Sequence, residues 1–529
     1  MKTLMHNGTI YTMNAEMEQV ESILIEEGKI LRTGSVKDLR ELADHFFDLQ
    51  GATVFPGFVD SHLHLIGHGD KIRYLDLSKF TSSKEMVEAI SEAATEQNDS
   101  DWFVAEGWNE NNFADRKILH RVELDEISTS PIVLRRICRH AMLVNSKVLE
   151  LVGITKDTPD PEDGVIVRDQ LGEPTGYLLD GAQNLVFQAI PEKSLDQLTL
   201  SVKAAVEDLV SKGFTGVHTE DMSYYGHYSR PFHAINTVVP EHLPFRINLL
   251  RHHAVFEEMM QDELIYPIGF VEGGAMKLFM DGALGGRTAL LTEPYADDPS
   301  TQGVAIHSQE QLDELVTLAR KHNEAVAVHA IGDLAMEMVV TAIEKNPPPK
   351  GKRDRLIHAN VLYEALVKRI EQLPVVLDIQ PSFVTSDFPW VIERLGEDRV
   401  EWAYAWKKLL TRGIACSGGS DSPIEEVDPL LAMYAAIARK LPGESHDGYL
   451  PEEGLTRFEA ISLYTTGSAF ATSQEDERGK IAEGYVADFT IFDRDLFTIE
   501  LEDFTKATVL YTIVDGKIVY QHGGTSEVI

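Results

Sequence analysis

The chain has 529 residues, of which 43% are hydrophobic and 25% are charged, a balance typical of a soluble globular protein. Its 85 acidic residues outnumber 48 basic ones, and the formal net charge of -37 repels nucleic-acid phosphates and anionic lipid surfaces. Nucleic acid and membranes are therefore not expected as partners, and the length predicts two or three domains.

Cysteine content and apolar patterning favour the cytoplasm. Only two cysteines occur, Cys138 and Cys416, so a disulfide scaffold is excluded and a reducing compartment is expected. No apolar run approaches the roughly 20 residues that span a bilayer, and the first residues lack the apolar core of a signal peptide. We expect a cytoplasmic protein, and a homodimer as the commonest assembly of such proteins.

The two ends of the sequence carry the same pattern. "ESILIEEGKILRTG" places β-prone runs on both sides of Gly28, and "ATVLYTIVDGKIVYQHG" does so around Gly516. An acidic residue followed by glycine between such runs predicts a hairpin, because glycine tolerates the positive φ of a tight turn. The ends therefore predict one small β-sandwich domain built from residues 1–55 and 478–529. Two unrelated end hairpins are the alternative, but these would leave apolar faces uncovered.

Residues 56–477 alternate short apolar runs with amphipathic helical stretches. This alternation is typical of βα units around a parallel sheet. Eight runs form a series that predicts an α/β protein with a (β/α)8 TIM-like barrel. In chain order they are "ATVFPGFVD", "FTGVHT", "FRINLLRH", "GAMKLFMDG", "AVAVHA", "RLIHAN", "VVLDIQP" and "GIACSGGSD".

The gap between the first and second runs is too long for a loop. It contains the strand-like "DWFVAEGW" and "PIVLRRI", and it ends in "SLDQLTLSVKAAVEDLVSKG", which has the pattern of a helix. A structureless connection of this length inside a compact domain is improbable. Residues 70–195 are therefore predicted to form an inserted α/β subdomain after strand one.

Side chains able to bind a metal lie near the ends of five runs, at the barrel face where enzymes of this fold carry their chemistry. In an extended segment alternate residues point the same way, so the two histidines of the first run can reach one ion. Imidazole and carboxylate together suit zinc or a similar divalent ion. In chain order the residues are His62 and His64 (strand one), Lys277 (four), His329 (five), His358 (six) and Asp421 (eight).

Each of these residues also has a structural explanation. Lys277 could be a barrel-interior lysine paired with an acid, and His329 and His358 could be hydrogen-bonded core histidines. Asp421 could cap a helix that starts at Pro423. A His-x-His pair alone is weak evidence for a metal. The convergence of four imidazoles, a lysine and a carboxylate on one rim favours a metal site.

Six motifs are similar to those of one enzyme superfamily. They are "PGFVDSHLH", "MKLFMDGALGGRTAL", "AVHAIGD", "LIHAN", "GSDSP" and "ERGKIAEGYVADFTIFD". By these motifs the chain resembles the amidohydrolase superfamily, and more narrowly the amidohydrolase-3 group of YtcJ-like proteins. The motifs span nearly the whole chain, and the end-joined β domain and the long insertion resemble that group as well.

The resemblance implies a metal-dependent hydrolase with two Zn²⁺ ions per chain. The implied ligands are His62, His64 and Asp421 for the more buried ion, His329 and His358 for the more exposed one, and Lys277 as a bridging carboxylated lysine. The implied reaction is hydrolysis of a C–N bond of a small molecule, of amide, N-acyl or cyclic amide type. A metal-bound hydroxide would attack, and Asp421 would act as general base and then acid.

Further residues are candidates for contact with a small-molecule substrate, and for each of them structural pairing is the alternative. Trp108 and His140 lie in the insertion, whereas the others follow barrel strands. Those others are His218, Glu220, His252, Asp281 and Arg287. His68 lies too far beyond the first strand to act as a ligand.

Two other functions remain open. One is a mononuclear deaminase of the same fold, against which Lys277 argues because mononuclear relatives usually lack the bridging lysine. The other is a non-catalytic binding protein with a vestigial metal site. The presence of all six expected ligands argues against it.

Overall fold

The structure is a computed structural model. It describes residues 1–95, 102–136, 141–161 and 164–524. Within these ranges strands and helices alternate along most of the chain. None of the helices in these ranges combines the length and the apolarity that crossing a bilayer requires.

The chain forms two units. One consists of Met1–His68 together with Leu195–Ile529, and the other is the continuous segment Gly69–Ser194. The first unit contains a sheet built from both chain ends and a parallel barrel, whereas the second contains the insertion.

The described strands belong to three sheets. The first five are β1 (Lys2–Tyr11), β2 (Gln19–Glu26), β3 (Lys29–Gly34), β4 (His45–Asp48) and β5 (Thr53–Pro56). The first barrel strand is β6 (Phe58–Leu63). The insertion follows with β7 (Leu75–Asp76), β8 (Phe103–Trp108), β9 (Ile132–Arg136), β10 (Ala141–Val144), β11 (Gly164–Arg168) and β12 (Pro174–Asp180).

The remaining strands complete the barrel and return to the terminal sheet. The barrel strands are β13 (Phe214–Thr219), β14 (Arg246–His252), β15 (Val271–Phe279), β16 (Val326–Ala330), β17 (Asp354–His358), β18 (Val375–Ile379) and β19 (Cys416–Gly418). The last three strands are β20 (Phe489–Phe492), β21 (Val509–Val514) and β22 (Lys517–Gln521).

The α-helices fill the connections between these strands. Up to the second barrel strand they are α1 (Val36–Leu39), α2 (Leu65–Arg73), α3 (Ser83–Thr95), α4 (Arg121–Asp125), α5 (Ser146–Leu151), α6 (Asn184–Phe187) and α7 (Leu195–Ser211). Along the rest of the barrel they are α8 (Ser229–Val238), α9 (His253–Gln261), α10 (Gln309–Lys321), α11 (Asp333–Lys345), α12 (Glu364–Ile370), α13 (Phe383–Asp387), α14 (Trp390–Leu395), α15 (Trp406–Thr411), α16 (Pro429–Ala438), α17 (Arg457–Tyr464) and α18 (Thr466–Ala471).

The terminal sheet joins the two ends of the chain in the order β22-β21-β20-β5-β1-β2-β3, with β4 beside β1. Both predicted hairpins are confirmed. Glu27 and Gly28 have φ of 49° and 72°, and Asp515 and Gly516 have 56° and 71°, as the twist of a two-residue hairpin requires. The two turns touch, since a Cβ at Gly28 would lie 2.1 Å from an oxygen of Asp515.

The barrel confirms the predicted fold. Its eight parallel strands are neighbours in chain order, from β6 through β13 to β19. The first and last strands meet where the Asp421 amide donates to the His62 carbonyl oxygen at 2.7 Å. The helices cover the outside of the barrel, and their apolar faces and the strands form one large buried core.

The predicted first strand is two strands. "ATVFPGFVD" contains β5, which pairs in the terminal sheet, and β6, which begins the barrel. The break falls at Gly57, where a Cβ would come within 2.3 Å of the Thr215 hydroxyl oxygen. Both strands are buried, so the apolar run reads as continuous although the chain changes sheets within it.

The insertion has its own mixed sheet in the order β11-β12-β10-β9-β8-β7. The predicted strands in "DWFVAEGW" and "PIVLRRI" are confirmed as β8 and β9, which pair in parallel. Two buried apolar clusters pack within this unit, one of them around the Trp108 ring. The insertion therefore has the layered build of an α/β subdomain.

Candidate metal centre

The first barrel strand and the loop after the last one bring three donors together. His62 lies in β6, His64 immediately follows it, and Asp421 stands three residues beyond β19. Asp421 has a φ of 55° and its amide is bonded to His62, so its carboxylate is held beside the two imidazoles. The side-chain donor atoms of all three residues lie within 4.8 Å of one another.

The spacing of these donors fits a shared cation. Asp421 Oδ1 lies 3.4 Å from His62 Nε2 and 3.6 Å from His64 Nε2, longer than good hydrogen bonds. Two ligands that each stand about 2.1 Å from a tetrahedral ion are separated by about 3.4 Å. The cluster therefore has the chemistry and the spacing of a divalent metal site.

The electrostatics couple His64 to Asp421. Burial alone would lower the pKa of His64, but the interactions with the carboxylates of Asp421 and Glu220 together outweigh burial and raise that pKa to about 9. Burial likewise raises the pKa of Asp421, yet the nearby His64, His358 and Lys277 bring it below its ordinary value. In the metal-free protein the two side chains thus form an ion pair, which a bound cation would replace.

Hydrogen bonds outside the centre orient three of the imidazoles. His64 Nδ1 lies 2.7 Å from the Glu220 carbonyl oxygen, and His358 Nδ1 lies 2.7 Å from Oε1 of Gln380. His329 Nε2 lies 3.1 Å from the Gly282 carbonyl oxygen. Because these oxygens only accept, each neutral ring presents the lone pair of its other nitrogen, as metal-ligating histidines do.

His329 and His358 form a second pair of donors next to the first cluster. Their ring centroids are 4.4 Å apart, and the His358 ring is 5.7 Å from that of His62. Burial lowers the pKa of His358 to about 4 and that of His329 well below its ordinary value. Both rings are therefore neutral at physiological pH and can ligate.

Lys277 lies fully buried between these groups. Its Nζ is 3.3 Å from His62 Nε2 and 4.4 Å from the centre of the Phe279 ring. Burial lowers the pKa of Lys277 to about 8. A substantial fraction of the amine is therefore neutral near pH 8, and only the neutral amine can add CO2 and become a carbamate.

Asp60 connects the first barrel strand to the loop that follows the last one. Its carboxylate accepts the His62 amide at 3.0 Å and the Ser420 amide at 3.0 Å and 3.2 Å. Burial raises the pKa of Asp60 to about 7. Gly419 is required beside it, since a Cβ there would lie 2.5 Å from the His62 nitrogen.

Two residues that were predicted to contact substrate, Asp281 and Arg287, instead bond to other groups of the protein. The Asp281 carboxylate accepts backbone amides of Leu290, Ile331 and Gly332 at 2.8–3.0 Å and ties together two loops at the rim. Arg287 makes a two-pronged ion pair with Asp297 at 3.1 Å and 2.7 Å. For both, the geometry favours the structural pairing that was the alternative.

The other candidate contacts are dispersed. Trp108 lies in the core of the insertion, where its indole nitrogen donates to the Leu134 carbonyl oxygen. His140 lies outside the described residues. His218 is buried against a cavity at the amino-terminal end of the barrel. His68 bonds Ser422 and Asp208, in agreement with its exclusion as a ligand.

Sequence reasoning missed two features of the site. Gln380, which ends strand seven and orients His358, was not singled out, although a polar residue at that strand end is a signal. Glu220 was only a weak candidate, yet its buried carboxylate accepts from Tyr224, whose ring lies 5.9 Å from His64. The helix-cap alternative for Asp421 fails, because no helix begins there; the next helix, α16, is capped by Asp428.

Known proteins resemble this chain over most of its length. The sequence profile of the Amidohydrolase family matches residues 45–520. YtcJ of Bacillus subtilis (strain 168), whose name places it among the amidohydrolases, is 49% identical over 98% of this chain and 100% of its own length. The N-substituted formamide deformylase of Arthrobacter pascens is 26% identical, with 98% of each chain covered.

A solved structure shares the fold. The crystal structure of an uncharacterized metal-dependent hydrolase from Pyrococcus furiosus superposes with a TM-score of 0.81 at 29% identity. The alignment covers 94% of this chain and 100% of that one. The likeness therefore includes the barrel, the terminal sheet and the insertion.

Proposed function

The chain belongs to the amidohydrolase family, and on that premise we propose that it uses divalent metal to hydrolyse a C–N bond of a small molecule. The observation that carries the proposal is the cluster of His62, His64 and Asp421 at the carboxyl end of the barrel, with donors 3.4 Å and 3.6 Å apart. A bond of amide, N-acyl or cyclic amide type is proposed. The formamide deformylase among the relatives supports this class.

Six residues would hold the cofactor, proposed as two Zn²⁺ ions. His62, His64 and Asp421 would bind the first ion, His329 and His358 the second, and Lys277 would bridge them as a carbamate. Bound metal supplies a water of lowered pKa and polarises the carbonyl group of the substrate. The depressed pKa of Lys277 supports its role, because carbamate formation needs the neutral amine.

Asp421 would move the proton. Its pKa lies below the ordinary value, so it is ionised at neutral pH and able to accept a proton from the attacking water. The same carboxyl can then pass that proton to the leaving nitrogen, which would otherwise depart as an unstable anion. Held by its own amide bond to His62, the carboxylate stays at the centre through both transfers.

Hydrogen bonds that involve the imidazoles and the Asp60 carboxylate keep this arrangement fixed. Outer hydrogen bonds to Glu220, Gly282 and Gln380 prevent three of the rings from turning. Asp60 locks the first strand to the loop after the last. Preorganised ligands of this kind avoid reordering when substrate binds.

The test is hydrolysis of a panel of N-formyl, N-acyl and cyclic amide compounds by metal-free and zinc-loaded protein. We expect activity only in the loaded protein, and its loss in Asp421→Asn. Lys345→Ala, which removes only a surface ion pair with Asp313, serves as the control and should retain activity. Undiminished activity after complete metal removal would contradict the proposal.

A further inference from the structure

A polar cavity lies at the end of the barrel opposite the metal centre. Its walls come from the starts of β6, β13 and β14, and from the segment that leads into β20. The volume that water centres can occupy is about 30 Å³. About 10–15 Å³ of such volume holds one water, so the cavity has room for one or two molecules of that size.

Three of the side chains that line this cavity each carry one buried polar atom with no hydrogen-bond partner among the described residues. These atoms are His218 Nδ1, Asn248 Oδ1 and Arg478 Nε, and each is shielded from bulk solvent. Unsatisfied buried polar atoms are rare in native proteins because each one costs free energy. Three such atoms around one small cavity indicate a common bound partner.

The donor and acceptor character of these atoms selects the partner. Asn248 donates through Nδ2 to Glu272 at 3.2 Å, which fixes the amide and leaves Oδ1 as an acceptor. Arg478 Nε can only donate. The partner must therefore donate to Asn248 and accept from Arg478, which neither a simple anion nor a metal cation can do.

Three cationic and two acidic side chains line the cavity. Arg246 pairs with Asp488 at 2.8 Å, Arg478 Nη1 lies 3.6 Å from Glu272, and Lys480 is the third cation. Burial, together with the positive charge of nearby arginines, holds the pKa of His218 well below its ordinary value, so its ring is neutral. The excess of positive charge disfavours a metal cation, and the need to donate to the amide oxygen excludes a simple anion.

We propose that this cavity is an internal water-binding site in which one water bridges His218, Asn248 and Arg478. The water donates to Asn248 Oδ1, accepts from Arg478 Nε and makes its third hydrogen bond with His218 Nδ1. It links barrel strands β13 and β14 to the segment that enters the terminal sheet. His218 would then bind this water at the amino-terminal end of the barrel and would not contact the substrate. This inference does not depend on the proposed function.

The direct test is a crystal structure of the full chain at a resolution that shows ordered water. We expect density within hydrogen-bond distance of all three atoms in the wild type. A dry cavity, or the same three atoms rotated onto protein partners, would overturn the proposal. A peak that exchanges for bromide in soaked crystals would instead identify an anion and would also overturn it.

Variants test the bridge in solution. Asn248→Leu keeps the branched shape but removes the acceptor, and with it the donor to Glu272, so we expect a lower midpoint of thermal unfolding and unchanged zinc content. Arg478→Met should lower the midpoint as well, and the double variant should lose less than the sum, because the two side chains share one water and also share Glu272. Strictly additive losses would contradict a shared water. His253→Leu, which removes another buried unpartnered imidazole atom away from this cavity, is the control and should retain the water.

Discussion

Single residues decide whether the centre binds metal. Asp421 is the one carboxylate that stands within 4.8 Å of both His62 and His64 donors among the described residues. It is buried, ionised and attached to its neighbours through its own backbone. Under the proposed function, a change at this residue would affect metal binding and proton transfer together, whereas the fold rests on the strands around it.

Replacement of Asp421 or His62 with alanine should remove metal and activity but leave the fold intact. For Asp421→Asn, which keeps the shape, we expect activity to fall by about 100-fold or more, the usual contribution of a general acid–base group. Metal content measured on purified protein and circular dichroism give the two readouts. Wild-type metal content in both alanine variants would show that the ligands have been misassigned.

Metal binding should be coupled to a proton on His64. The ordinary pKa of 6.5 is raised to about 9 in the metal-free fold, so His64 is charged at pH 7 and must lose its proton to ligate. We expect zinc to release close to one proton per chain from this residue at pH 7–8, and zinc affinity to rise with pH up to about 9. Titration in a pH-indicator dye measures the release.

The same shift predicts the stability of the metal-free protein. Because the folded pKa is raised, the ion pair with Asp421 stabilises the fold fully below pH 6.5 and is lost as pH rises through about 9. Metal-free protein should therefore lose stability across this interval, whereas zinc-loaded protein should not lose this contribution. Zinc binding that releases no proton at pH 7 would contradict the assignment of His64.

At the scale of elements, the barrel strands could be predicted because their signal is local. "FTGVHT" corresponds residue for residue to β13, and "AVAVHA" contains β16. The helix in "SQEQLDELVTLARKHN" is confirmed as α10, with a capping box from Ser308. Hydrophobic periodicity and capping residues are properties of neighbouring positions in the sequence, so they can be recognised without tertiary information.

The structural features that could not be predicted depend on contacts between segments that are distant in the sequence. The division of the first run into β5 and β6 follows from Gly57 packing on Thr215, which lies far along the chain. The engagement of Asp281 by the amides of two loops is equally non-local. The sequence thus indicates which side chains lie near the rim of the barrel. Their hydrogen-bond partners depend on the fold, so these could not be predicted.

A buried ion pair connects the barrel to the terminal sheet. Arg246 starts β14 and Asp488 precedes β20, and both side chains are less than 10% exposed. Asp488→Ala would leave the buried guanidinium with only Asp515, at 3.9 Å, as a counter-charge, so we expect a loss of about 3–5 kcal/mol in the free energy of unfolding. Chemical denaturation measures it, and Asp503→Ala in a surface pair is the control. A loss under about 1 kcal/mol would contradict a structural role for the pair.

At the scale of the whole molecule, the fold brings together proposed ligands that are 359 positions apart, from His62 to Asp421. The chain-order barrel places the ends of strands one, four, five, six and eight around one opening. Neither the insertion nor the loops after the barrel strands carry a sequence motif that reads a chemical group, which is why the substrate could not be inferred from the sequence. The cytoplasmic location stays a prediction from composition, and the homodimer stays a prediction from how common such assemblies are.

The most direct test is anomalous X-ray scattering at the zinc edge from crystals of the zinc-loaded protein. We expect two peaks per chain, one about 2.0–2.2 Å from His62, His64 and Asp421 and the other similarly close to His329 and His358. Density for a carbamate on Lys277 is expected between them. No peak beside Asp421 would contradict the proposal that this barrel end is a metal-dependent hydrolytic site.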